Sequence, residues 1–352
     1  MSYNPNTMDT TRIFAEDPIM FSTHISQMVF PSPTVFWRPT SVILVPLNPY
    51  HFSFIGASII HFPINASFLF SRNDVMTNEV LDEIKRLAPT GRGVPAKVFL
   101  IGPFSENSRE TLVANGLTTY QIGSPDVFDT AAKAAYFRLE VIPPQSDGQR
   151  HHLFIVSADT GIEALPATYY SAHHGAPILF VTRDFIPPAT RWAIARYANL
   201  AFTIFGTENT ISRKVEEEIR RMAVHVSRSS GKDPVELAVN FARQPETENQ
   251  AGWGRNKPGM GDAFSYGTIH AWQKAVAGLL NAHMGKHTPL LLVERDYVPL
   301  PVKNYLLELN PERPGPPHPP FMHGYILGTY KNISYRTQVE LEENLILRTE
   351  KH

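Results

Sequence analysis

The hydrophobic positions fall into two kinds of run. Short apolar stretches at residues 41–45, 153–156 and 289–293 show no polar alternation, as strands do when both faces of a parallel sheet are covered. Between them lie segments of helical period such as residues 78–87, where Val80, Leu81, Ile84 and Leu87 make one apolar stripe. Pro187, Pro188, Pro299 and Pro301 stand where helices should begin, because the first turn needs no amide donor. Strand and helix in alternation predict α/β units with parallel sheets.

The pattern recurs. Three strand-like runs end alike, FLFSRND (68–74), ILFVTRD (178–184) and LLLVERD (290–296), with Asp74, Asp184 and Asp296 spaced 110 and 112 residues apart. A second block closes a buried strand on Gly102, Gly206 or Gly328 and reaches a serine six residues later, at Ser108, Ser212 and Ser334. Those serines read as helix N-caps. A third block sets Asp17, Asp126 and Asp233 ahead of helical runs. Three blocks in one order, three times, predict three copies of one module at residues 1–120, 121–227 and 228–352. The third copy carries a glycine- and aromatic-rich insertion at residues 245–268, and a loop of that length is usually functional or disordered. A proline-rich loop at residues 310–323 contains Arg313, His318 and His323.

The second copy carries a resemblance: Gln121-Ile122, Asp126, Thr130-Ala131, Ala164-Leu165, GAPIL (175–179), GTENTIS (206–212) and the charged helix 213–222. This order resembles the cell wall binding repeat 2 family of Gram-positive surface proteins, in which three tandem copies are usual. The resemblance implies Toprim-like modules packed around a pseudo-threefold axis, and non-covalent attachment to an anionic wall polymer at the cell surface. The sequence departs from the family in two respects. The family's Arg-Tyr after the first aspartate is replaced by Pro18-Ile19, Val127-Phe128 and Pro234-Val235. Its Asp-Ala-Leu carboxylate survives only at Glu163, with Ser53 at the first-copy position.

Composition narrows the function. Charged residues are 18% of the chain where about 25% is usual, and there are 30 prolines among 352 residues. Absence of cysteine excludes disulfides, thiolate metal sites and a cysteine nucleophile. A net charge of -1 argues against nucleic acid or an anionic membrane as partner. Residues 1–17 show neither a basic start nor an apolar run, and no window is long enough for a membrane span, so neither a secretory signal nor membrane insertion is expected. That leaves a cytoplasmic or spore-associated location open beside a surface one. Low charge, and repeats that fill the chain with no separate effector domain, point to self-association into a layer or filament.

Candidate chemistry is sparse. Phosphate-loop, nucleophile-elbow and zincin motifs are all missing, so the expectation is a non-enzymatic protein with no cofactor and no metal. A divergent metal-dependent Toprim-like or sugar-modifying enzyme is the rival reading. Asp74, Asp184 and Asp296 could hold magnesium at strand ends, but a cap or turn role is simpler. His151-His152 and His173-His174 are adjacent pairs, and His283 with His287 has helical spacing that Met284-Gly285 should interrupt. His173 and His174 precede a buried strand, where polymer or partner contact competes with an ordinary surface role. Trp253, Phe264 and Tyr266 could stack on sugars or pack against a neighbouring module, with packing the plainer reading. Arg255 and Lys257 beside them would suit an anionic polymer. The candidate binding residues are Glu163, His173, His174, Trp253, Arg255, Lys257 and Tyr266.

Overall fold

The computed structural model describes residues 6–7, 9–32, 37–142, 152–257, 263–284, 287–309 and 323–345. The chain opens with β1 (Thr10–Ile13) and α1 (Pro18–Val29), then β2 (Val42–Pro46), α2 (Tyr50–Ala57), β3 (Ser67–Ser71), α3 (Asn78–Leu87), β4 (Val98–Ile101), α4 (Glu106–Ala114) and β5 (Thr119–Ile122). The second passage is α5 (Val127–Tyr136), β6 (His152–Ser157), α6 (Leu165–His174), β7 (Ile178–Val181), α7 (Pro188–Arg196), β8 (Ala201–Phe205), α8 (Arg213–Met222) and β9 (His225–Ser229). The third is α9 (Pro234–Arg243), β10 (Phe264–Gly267), α10 (Trp272–Ala277), α11 (Leu280–His283), β11 (Leu290–Leu292), α12 (Leu300–Leu309), β12 (Gly324–Leu327) and α13 (Tyr335–Leu345). Among the described residues no helix is long and apolar enough to cross a membrane.

The strands form three wholly parallel four-stranded sheets of one order: β3-β2-β4-β5, β7-β6-β8-β9 and β11-β10-β12-β1. The α/β fold with parallel sheets thus stands as expected. The fourth strand of the third sheet is β1, from the other end of the chain, with Thr10 to Ile13 registered on Gly324 to Leu327. Each edge strand stays with one sheet while the helix after it packs on the next: α1 on β3, α5 on β7, α9 on β11. The units are therefore linked in a closed cycle, with α2, α6 and α10 in mutual contact at the centre. The expected boundaries after residues 120 and 227 fall inside β5 and β9 for the same reason.

Repeat positions acquire physical roles. Gly102, Gly206 and Gly328 all take positive φ, +88°, +111° and +134°, which a side chain rarely tolerates. Each glycine carbonyl accepts from the edge strand beside it: from Gln121 Nε2 at 2.9 Å, Arg228 Nη1 at 2.7 Å and Arg12 Nη1 at 2.8 Å. The serine caps need one correction. Ser212 and Ser334 do cap α8 and α13, but the cap of α4 is Ser105, whose Oγ accepts from Ser108 N at 3.1 Å. The first copy has a shorter turn after its glycine, so the serine six residues on is already inside the helix. Amide donation to the loop carbonyl of Asn73, Arg183 or Arg295 comes from Ser105, Ser212 and Ser334 alike.

Asp184 and Asp296 pair with the preceding Arg183 and Arg295 at 3.0 Å, and Asp74 Oδ1 accepts from Val75 N at 3.0 Å, all in turns. Asp17, Asp126 and Asp233 cap α1, α5 and α9. Asp126 Oδ1 accepts from Phe128 N at 2.8 Å and Asp129 N at 3.1 Å. We expect Asp126→Ala to lower stability by about 1 kcal/mol and Asp126→Asn to lie close to wild type in denaturant unfolding.

The expected insertion at residues 245–268 also needs correction. Residues 264–267 near its end, FSYG, are β10, a central strand with Phe264 and Tyr266 fully buried among Leu291, Val302, Tyr305 and Ile326. The counterpart of β2 and β6 is therefore β10, and residues 289–293 hold the place of β3 and β7.

Candidate functional site

A cluster of imidazoles forms where the three units meet. α6 is set by Pro166 at its start and ended by Gly175 in the left-handed region at φ +69°, so its last turn presents His173 and His174. The third copy breaks the same helix into α10 and α11, ending on His283. In the first copy His61 follows α2 by one turn. The helix ends converge: the rings of His61 and His283 are 5.4 Å apart, those of His173 and His174 4.3 Å, and those of His173 and His287 4.5 Å. His287 comes after the end of α11, as Met284-Gly285 foretold, at φ +49°.

Aromatic rings pack against the imidazoles, Tyr170 from the buried side. Trp253 stacks on His173 with centroids 5.2 Å apart and planes 10° off parallel, and Tyr170 stacks on His174 at 4.2 Å. The Tyr170 hydroxyl donates to Glu246 Oε1 at 2.7 Å, and Glu246 lies 3.9 Å from His152 Nε2 and 4.0 Å from His174 Nε2. His283 Nε2 meets Asn65 Oδ1 at 3.1 Å. His173 Nδ1 and His287 Nδ1 are 3.1 Å apart, a separation that demands one donor and one acceptor. The two rings can therefore share a proton but cannot both be charged without losing the bond.

Burial, followed by repulsion from its neighbours, pushes the imidazole of His173 down to about 2. The same order of causes holds His174 and His283 down to about 4. At neutral pH His173, His174 and His283 are uncharged, half-buried rings with ring nitrogens as donors and acceptors, and exposed His287 and Glu246 lie beside them. Among the described residues no group of three His, Asp or Glu is spaced to hold a metal ion.

Of the residues singled out from the sequence, the structure brings His173, His174 and Trp253 together. Lys257 is exposed on the same chain segment, and Arg255 is half-buried with its carbonyl accepting from Tyr305 OH at 2.7 Å. Tyr266 is excluded: a wholly buried ring in a core strand cannot touch a polymer. Glu163 lies apart, with Oε1 buried against Gly206, and burial raises its carboxyl pKa against the lowering effect of a hydrogen bond from Thr210. Residue 151 and the loop at residues 310–322 are outside the described residues. Tyr170, Glu246 and His61 were not foreseen. A histidine recurring near the end of the central helix in each copy is the signal that could have found His61.

Residues 121–216 match the cell wall binding domain 2 (CWB2) family. An amidase enhancer of Bacillus subtilis (strain 168) is 27% identical over 183 residues, 51% of this chain and 24% of that protein. The N-acetylmuramoyl-L-alanine amidase LytC of the same strain is 22% identical over 230 residues, 64% of this chain and 42% of that protein. Among solved structures, Cwp8 from Clostridium difficile has a TM-score of 0.74 at 16% identity, covering 98% of this chain and 53% of that one. Cwp6 from the same organism has a TM-score of 0.73 at 16% identity, covering 94% and 48%. The chain thus spans less than half the length of these curated relatives and about half of these structures, and the structural likeness is one of fold. The family match supports a cell-wall-associated role. The match at residues 121–216 is flanked on both sides by a sheet of the same strand order, and the resemblance read from the repeats holds.

Proposed function

We propose that this protein is a non-catalytic binding body of the bacterial cell surface, holding a wall polymer on the face where its three units meet. The observation that carries this reading is the family match of the middle unit. The cluster supports it, since the half-buried rings of Trp253, His173 and His174 offer flat faces and ring nitrogens suited to sugars, with fully buried Tyr170 backing His174. The Toprim-like form of the modules implied by the resemblance is part of the same reading, as is a pseudo-threefold arrangement, which the cyclic contacts of α2, α6 and α10 favour.

Co-sedimentation with purified walls, intact or stripped of anionic polymers, tests the proposal. Retention on intact walls alone assigns the anionic polymer, retention on both assigns the glycan, and retention on neither overturns wall binding. An enzymatic role would instead show as release of soluble wall fragments during the same incubation.

Self-association is a second reading, favoured by one observation. The residue after each loop aspartate is apolar and exposed in all three copies: Val75, Phe185 and Tyr297. Three equivalent apolar tips on one body suit contact with further copies. Size exclusion at increasing concentration should show higher assemblies, and Phe185→Ser together with Tyr297→Ser should reduce them; a wild-type chain that stays monomeric counts against a layer or filament.

A further inference from the structure

The groove between α5 and α7 has its own construction. α5 places Asp129, Ala132, Lys133 and Tyr136 on one face, at i, i+3, i+4 and i+7. α7, whose start is fixed by Pro187 and Pro188, lays Ala189 and Trp192 opposite. The alanines leave a cleft of about 440 Å³ between the helices, within the range of small-ligand sites, about 300–1,000 Å³.

Tyr136 and Trp192 flank the cleft with 42% and 46% of their surface exposed. Neither ring is left to swing. The Arg196 guanidinium lies 5.6 Å from the centre of Tyr136 and 5.4 Å from that of Trp192. Arg196 is in turn bound by Glu140, with Nη2 to Oε2 at 2.5 Å, and the Tyr197 hydroxyl donates to Glu140 Oε1 at 2.8 Å. Glu140 itself sits on the π-helical turn Phe137–Val141 that follows α5.

The charges around the groove cancel. Lys133 pairs with Asp129 at 2.8 Å, and Arg196 with Glu140. A phosphate or carboxylate ligand would call for an unpaired cation, whereas a hydroxyl-rich ring needs one donor, one acceptor and a flat apolar face. All three are present, and every residue involved lies within the matched segment.

We propose that this groove binds uncharged sugar rings of a wall glycan, with Trp192 and Tyr136 stacking on their C–H faces and Asp129 and Lys133 bonding their hydroxyls. The inference rests on the wall-binding reading and adds a second place of contact and the chemistry of what is held there. It differs from the histidine face in position and in having an open cleft.

The test uses the full chain and neutral oligosaccharides released from purified walls and passed through an anion exchanger. Titration calorimetry should show saturable binding to wild type, weakened at least about tenfold by Trp192→Ala or Tyr136→Ala. Trp192→Phe should stay within about threefold, because a flat ring remains. Both side chains are half-exposed, so matched melting curves check that the variants fold. If wild type ignores the neutral saccharides yet still sediments with walls, the groove is overturned and wall binding stands. If it does neither, both readings fall. If Trp192→Ala changes the association state and leaves saccharide affinity untouched, the groove is a protein contact and the proposal is overturned.

Discussion

Lowering the pH from 7 to 4.5 is expected to cost this protein about 3–5 kcal/mol of folding stability, nearly all of it from the histidine cluster. In the unfolded chain the imidazoles of His174 and His283 take up protons from pH 6.5 downward; in the folded chain they do so only near 4, because burial and neighbouring rings oppose their charge. Between those values the unfolded state binds more protons, so stability rises with pH and is fully present above 6.5. Each shift is worth up to about 3 kcal/mol, and the neighbours are coupled, so the total is less than the sum. His173, held down to about 2, extends the loss to lower pH. The groups that face the cluster are Arg138, whose charge lowers His283 further, and half-exposed Glu246, 4.0 Å from His174.

Carboxylates act elsewhere on the pH axis. Glu140, drawn down to about 2 by Arg196 and Tyr197, loses its advantage only below 4.5. Glu163, raised by burial, works in the opposite sense and softens the acid loss slightly. The window from 6.5 to 4.5 therefore belongs to imidazole. Denaturant midpoints measured at several pH values should fall across it, and His283→Gln and His174→Gln should each flatten the curve. A midpoint that stays level from pH 7 to 4.5 would remove the cluster as a pH-sensitive junction.

What the sequence disclosed followed from how loudly each position speaks. The helices at residues 78–87 and 213–222 were legible to the residue, because an apolar stripe marks the first and a serine cap the second. Glycines 102, 206 and 328 announced themselves because one backbone conformation recurs at all three. β10 stayed hidden since FSYG is short and half polar, while its burial comes from helices on both faces that no local pattern reveals. Ser105 was missed because the first copy's turn is three residues shorter than the others. At the site, His173 with His174 and Trp253 could be named as types suited to contact. Their meeting with His61, His283 and His287 depends on the closure of three units around α2, α6 and α10, which is a property of packing over more than 200 residues of chain.

Closure itself makes the strongest single-residue prediction. β12 would present an open row of backbone groups if β1 did not return to it, and the residue that fixes β1 there is Arg12, 5% exposed. Its Nε donates to Gln338 Oε1 at 2.9 Å, Nη1 to Gly328 O at 2.8 Å and Nη2 to Ser334 O at 3.3 Å, and the guanidinium lies 4.4 Å from the Tyr330 ring centre. Burial lowers its pKa only to about 10, so the charge persists at neutral pH. Arg12→Ala strands these acceptors in the interior and should destabilise by about 3–5 kcal/mol. The equivalents offer an internal scale. Gln121 makes one neutral bond, to Gly102 O at 2.9 Å, and Gln121→Ala should cost about 1 kcal/mol. Arg228→Ala should fall between, because its partner Glu216 keeps Arg220 at 2.7 Å. Urea unfolding of the three variants under one condition decides the order. If Arg12→Ala proves no worse than Gln121→Ala, the third sheet does not depend on Arg12 to hold the returning strand. If the order holds, the side chain that clamps each glycine turn also joins the two ends of the chain into a ring.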